Sequence, residues 1–199
     1  PPKFIPVYEL QYITPEAEEV KRRSESYAAL LNFRVGKYDL IRDFQNNATI
    51  LNEVDKVVHD IRNDENLTVQ GMFVTGYASP EGNYNSNLVL SKNRTYSFVN
   101  YLADAHNINQ SSIKTDWKGE DWEGLRKSVA NSTLADRDMV LRIIDNNENI
   151  TQRKKQLQTL NGGTTSRTLL NEYYPPLRRI EYTFSYIALP FNVDEAKVI

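Results

Sequence analysis

Residues 177–189, LRRIEYTFSYIAL, swing between apolar and polar along most of their length. Ile180, Tyr182, Phe184 and Tyr186 alternate with Arg179, Glu181, Thr183 and Ser185, the period of a β-strand with one buried face. Such a strand cannot stand alone, because its apolar face needs a second layer. The segment 47–62 supplies one. There Ile50, Leu51, Val54, Val57, Val58 and Ile61 recur at helical spacing on one face, and the turn cluster NDEN (63–66) closes the run. A sheet with helices laid against it is the architecture these two segments require.

The rest of the chain fits that plan. LTVQGMFVTGYA (67–78) is rich in β-formers and short enough for a strand. The loop SPEGNYNSN (79–87) follows. A second helix is predicted from about Ser91 to Leu102, with Ser91 as N-cap and Leu90, Phe98, Tyr101 and Leu102 on its apolar face. A third strand is predicted around Ile113 to Trp117, and 118–176 turns helical, with Gly162-Gly163 and Pro175-Pro176 as stops. TLNGGTTSR (159–167) reads as a helix cap and turn, since no GK[ST] follows to make a phosphate loop.

Towards the N-terminus, KFIPVYELQYI (3–13) reads as an edge strand because of Pro6. The charge run 14–26 reads as an exposed loop or solvated helix. Residues 30–35 read as a strand that breaks at Gly36. The charged edges KRR (21–23) and RKK (153–155) read as solvated. The order of strands and helices gives an α/β or α+β sandwich. The organisation expected is an N-terminal extension with an edge strand (1–31), a main domain (32–189) with a helical insertion at 118–176, and a tail (190–199).

Composition excludes several functions. The net charge of −2 over 199 residues does not give the basic face that phosphate binding needs, so nucleic acid is an unsuitable partner. With no Cys, disulfides, thiolate catalysis and cysteine metal sites are out; two distant His, His59 and His106, do not make a zinc site. No apolar run approaches the roughly 18 residues that span a bilayer. The chain opens PPKF without Met and reads as processed or truncated, so a missing signal peptide says nothing about compartment. No cofactor is implied. No Asp or Glu pair has a recognisable spacing and no Ser or His motif appears, so no catalytic residue is assigned and an enzyme is disfavoured.

The chemistry concentrates in GYASPEGNYNSNLVLSKNRTYSFVNYL (76–102). With Ser91 as N-cap, Arg94 would stand in the first turn, beside bare N–H groups and the positive end of the helix dipole. A cation is unfavourable there unless a bound carboxylate or phosphate offsets it. The plainer alternative is a surface Arg paired with an acid such as Glu81.

Asn87-x-x-Leu90-Ser91-x-x-Arg94, with VTGYASPEG before it and Arg178-Arg179-Ile180-Glu181 near the end, resembles the C-terminal domain of OmpA, a peptidoglycan-binding module of Gram-negative outer-membrane proteins. The resemblance covers roughly 33–117 and 177–189. It looks most like a divergent branch from gut anaerobes that occurs beside fimbrial assembly genes. It implies an α+β fold, an OmpA-like βαβαβ sandwich with helices packed on one sheet and a mostly helical insertion before the last strand.

For the site, the resemblance implies that Arg94 holds the carboxylate of diaminopimelate in the peptidoglycan stem, with Asn87, Tyr77 and the loop 77–82 around it. The family's loop Asp, which holds the ligand's ammonium, is replaced here by Ser79. Glu81, two residues on, is the nearest substitute, and Thr95 replaces the usual Ala. Two functions are then open. One is a non-catalytic cell-wall anchor in the periplasm or at the outer membrane. The other is a structural or assembly protein of a surface fimbria or outer-membrane complex, with a vestigial pocket and a cell-surface protein partner.

Overall fold

The strand read at the C-terminal end is central. In the computed structural model, which describes residues 21–34 and 36–189, β4 (Ile180–Ala188) lies between β1 (Lys21–Ala29) and β2 (Leu67–Ala78), antiparallel to both. β3 (Ile113–Glu120) pairs in parallel with the far side of β2, giving the order β1-β4-β2-β3. The alternation is kept: Ile180, Tyr182, Phe184 and Tyr186 are all buried.

Two helices cover that face. α1 (Asn47–Asn63) buries Leu51, Val54, Val58 and Ile61, with Ile50 and Val57 packed at its margin. α2 (Tyr84–His106) crosses from β2 to β3 and buries Phe98, Val99 and Leu102. Met72 and Val74 complete the core from β2. Gly76 lets α2 approach: a Cβ there would lie 2.0 Å from the Thr95 hydroxyl and 2.8 Å from the Ser91 carbonyl oxygen.

Between β3 and β4 the chain forms α3 (Trp122–Ala130), α4 (Arg137–Asn146), α5 (Ile150–Thr159) and α6 (Thr164–Thr168), the last running into a wide helical turn at Leu169–Tyr173. Leu125, Val129, Val140, Ile144, Leu157 and Leu169 form a second core there. The predicted stop at Gly162-Gly163 is a left-handed turn in which Asn161, Gly162 and Gly163 all have positive φ. β3 runs on through Lys118, Gly119 and Glu120, where helical structure was expected to begin.

Four local readings are corrected. Residues 21–26, expected as loop or solvated helix, belong to β1. As an edge strand over a wet margin it needs little apolar patterning: Glu25 accepts hydrogen bonds from the Tyr27 and Tyr186 hydroxyls, and Tyr27 stacks on Tyr182 at 5.4 Å. Leu30–Arg34, expected as strand, has no regular structure. α2 starts at Tyr84, capped by the Asn83 side chain accepting from the Ser86 N–H at 3.1 Å, so Ser91 is buried mid-helix and is not the N-cap. Lys154, expected to be solvated, is largely buried against Glu120. The strand read at 3–13 and the tail lie outside the described residues.

Candidate functional site

α2 places Asn87, Leu90 and Arg94 on one side, at the spacing that stacks residues along a helix face. That side meets the loop after β2, and the two enclose a cleft of about 510 Å³. Its walls also include Phe33, Leu170 from the turn after α6, and Arg178 from the approach to β4. Four of the five residues singled out by sequence, Ser79, Glu81, Asn87 and Arg94, line this one cleft.

Tyr77 does not join them. It lies on the other face of β2, where Arg179 stacks on its ring at 4.0 Å and its hydroxyl donates to Glu181 at 3.3 Å. Burial first, then the Glu181 charge, pushes that phenol up to about 12. Tyr77 is still within β2, on the opposite parity to the buried Met72, Val74 and Ala78, whereas Ser79 and Glu81 lie in the loop beyond the strand and are free of that alternation. The same rule parts Arg178, in the cleft, from Arg179, which pairs with Asp121 at 2.5 Å and Glu181 at 2.9 Å.

Arg94 stands well inside α2, so the dipole argument does not apply to it. Its guanidinium lies over the Phe33 ring at 4.7 Å, and its Nε donates a long 3.4 Å hydrogen bond to the Lys37 carbonyl. Among the described residues no carboxylate pairs with it. The pairing with Glu81 fails because Glu81 is taken: Arg178 Nη2 donates to its Oε2 at 2.7 Å. Burial, and after it the field of Arg178, pushes the Arg94 guanidinium down to about 10. It keeps its charge at neutral pH, at an electrostatic cost that an incoming anion offsets.

Ser79 and Asn87 shape the loop. The Ser79 hydroxyl accepts from Arg178 Nε at 3.0 Å. Asn87 Nδ2 donates to the carbonyls of Glu81 (2.6 Å) and Ser79 (3.3 Å) and to Glu120 Oε1 (2.9 Å). Its amide is spent on holding the loop. Glu120, whose side chain is fully buried, also accepts from Trp122 Nε1 at 3.0 Å and pairs with Lys154 of α5. Lys154 in turn donates to the Gly82 carbonyl at 2.8 Å.

Sequence reasoning missed Phe33, Leu170, Arg178 and the Glu120–Lys154 pair. Arg178 was within reach. It shares parity with Ile180 and Tyr182, so the strand pattern already aimed it to the helix-covered side.

The OmpA family profile matches residues 32–137, just over half of the chain. This chain belongs to the OmpA family. Members of that family are in general non-catalytic binding domains of the cell envelope, associated with peptidoglycan or with partner proteins. Among solved structures, the OmpA-like domain of FopA1 from Francisella tularensis subsp. tularensis SCHU S4 is similar at 15% identity with a TM-score of 0.42, over 86% of this chain and 78% of that one. No curated protein matches the chain. Among the described residues of this OmpA domain, no helix is long and apolar enough to cross a membrane.

Proposed function

We propose that this OmpA domain is a non-catalytic anchor in the periplasm or at the outer membrane, which grips a carboxylate of the peptidoglycan stem peptide with Arg94. The observation behind this reading is a half-buried guanidinium in a cleft, stacked on Phe33 and without an acid among the described residues. Arg can hold a carboxylate through two parallel hydrogen bonds, and each hydrogen bond to a charged group is worth about 1.5–3 kcal/mol. Phe33, Leu90 and Leu170 offer apolar contact to the methylenes of a long side chain.

Calorimetric titration with a diaminopimelate-containing stem tripeptide tests this. Saturable binding to the wild type, weakened roughly tenfold or more in Arg94→Ala, supports it. Wild-type protein that shows no saturation at millimolar peptide overturns it.

One observation favours the second reading, a structural or assembly component of a fimbria or outer-membrane complex. Among the described residues Glu81 is the only acid lining the cleft, and its charge is already countered by Arg178, which leaves the stem's ammonium no unpaired acid among them. On that reading the wild type and Arg94→Ala pellet equally with isolated cell-wall sacculi.

A further inference from the structure

Among the described residues the cleft is lined by two cations, Arg94 and Arg178, and one acid, Glu81. Arg178 spans the loop, giving Nη2 to Glu81 at 2.7 Å and Nε to the Ser79 hydroxyl at 3.0 Å. Both side chains that could face a ligand ammonium are thereby engaged with a protein cation. The loop carbonyls are engaged as well: Ser79 and Glu81 accept from Asn87, and Gly82 accepts from Lys154.

The remaining acids nearby are closed off. Glu120 is fully buried behind Asn87, Trp122 and Lys154. Asp121 and Glu181 are held by Arg179, away from the cleft. An ammonium entering the cleft has to displace Arg178 or stand beside two guanidiniums. A carboxylate meets Arg94 and an excess of positive charge.

We propose that this cleft recognises its ligand by a side-chain carboxylate alone, with no contribution from the ammonium on the same carbon. This rests on the stem-peptide reading above and gives that site its selectivity. The ligand class is a long, apolar-stemmed ω-carboxylate. Diaminopimelate belongs to it by its carboxylate end, and so does 2-aminopimelate, which keeps the chain and the carboxylate but lacks the distal amine.

The test uses three stem tripeptides that differ only at the third residue: meso-diaminopimelate, 2-aminopimelate and lysine. Each is titrated into the wild-type chain and into Arg178→Gln. In the wild type the first two should bind within about threefold of each other, and the lysine peptide, whose side chain ends in an ammonium and carries no carboxylate, roughly tenfold or more weaker. In Arg178→Gln, Glu81 is released to face the ligand, and diaminopimelate should gain several-fold over 2-aminopimelate.

A tenfold wild-type preference for diaminopimelate over 2-aminopimelate overturns the carboxylate-only reading and leaves the anchor standing. So does a lysine peptide that binds as well as the others. An unchanged ratio in Arg178→Gln overturns the part assigned to Arg178. Failure of all three peptides to bind removes the anchor reading, and the selectivity with it.

Discussion

Glu120 shows how a single side chain can tie two parts of the chain together. Its carboxylate is fully buried and has three partners: Asn87 from α2, Trp122 at the start of α3 and Lys154 from α5. A buried charge is tolerated only when paired, and removing one partner typically costs about 3–5 kcal/mol. Lys154→Met should therefore lower unfolding free energy by roughly 3 kcal/mol in urea titration. The double variant Lys154→Met with Glu120→Gln should recover much of that loss, because the uncompensated charge is gone. Equal destabilisation in the single and double variants would mean that packing, and not charge, holds α5 against the loop. The sequence concealed this pair. Lys154 stands in RKK, and a charge run on a helix reads as a solvated face until the fold brings an acid to it.

At the scale of elements, α2 is set by contacts rather than by its cap. Ser91 donates to the Leu88 carbonyl at 2.9 Å and accepts from the Gly119 N–H at 3.1 Å, which ties the helix to β3. Thr95 donates to the Ser91 carbonyl at 2.7 Å, directly over Gly76. Gly76→Ala should accordingly push α2 off β2. Overpacking of this kind costs typically about 1–3 kcal/mol. Thr95→Ala should not rescue it fully, since the Ser91 backbone oxygen remains 2.8 Å from the added Cβ; thermal unfolding of the three variants decides this. A Gly76→Ala domain as stable as wild type would show that the helix moves away freely.

The elements also show which signals a sequence carries. α1 and β4 were legible because their apolar residues recur with one clear period over a whole buried face, and β2 because it is a short run of β-formers that ends at a turn-rich loop. β1 was not, because Lys21–Ser26 pairs along an exposed edge and needs no apolar alternation. The first turns of α2 were masked by Asn83, Asn85, Ser86 and Asn87, which look like loop residues. One of them is the true cap, and another is buried against the loop. The motif residues of the cleft were legible together because they lie within one turn-and-helix segment. Phe33 and Leu170 reach it from elsewhere in the chain and only tertiary packing brings them in, whereas the parity of Arg178 with Ile180 and Tyr182 already gave its side of the sheet.

At the scale of the molecule, the two helices of the main core are also joined by charge. Asp55 on α1 accepts from the Tyr101 hydroxyl at 2.7 Å, lies 2.7 Å from His106 Nε2, and pairs with Arg42 at 3.4 Å. Burial acts to raise the Asp55 pKa, but the hydrogen bonds from Tyr101 and His106 and the pairing with Arg42 outweigh it and hold the carboxyl below its ordinary value. An unfolded Asp titrates near 3.9, so a lowered folded value stabilises the native state above about pH 4. That contribution is lost as pH falls through the folded value. Asp55→Asn should lower stability at pH 7, and the gap between the two proteins should narrow steadily below pH 4. Urea unfolding at a series of pH values measures it. A gap as wide at pH 2 as at pH 7 would assign the cost to lost hydrogen-bond geometry, while a gap that closes in acid shows that the charge on Asp55 holds α1 to the end of α2.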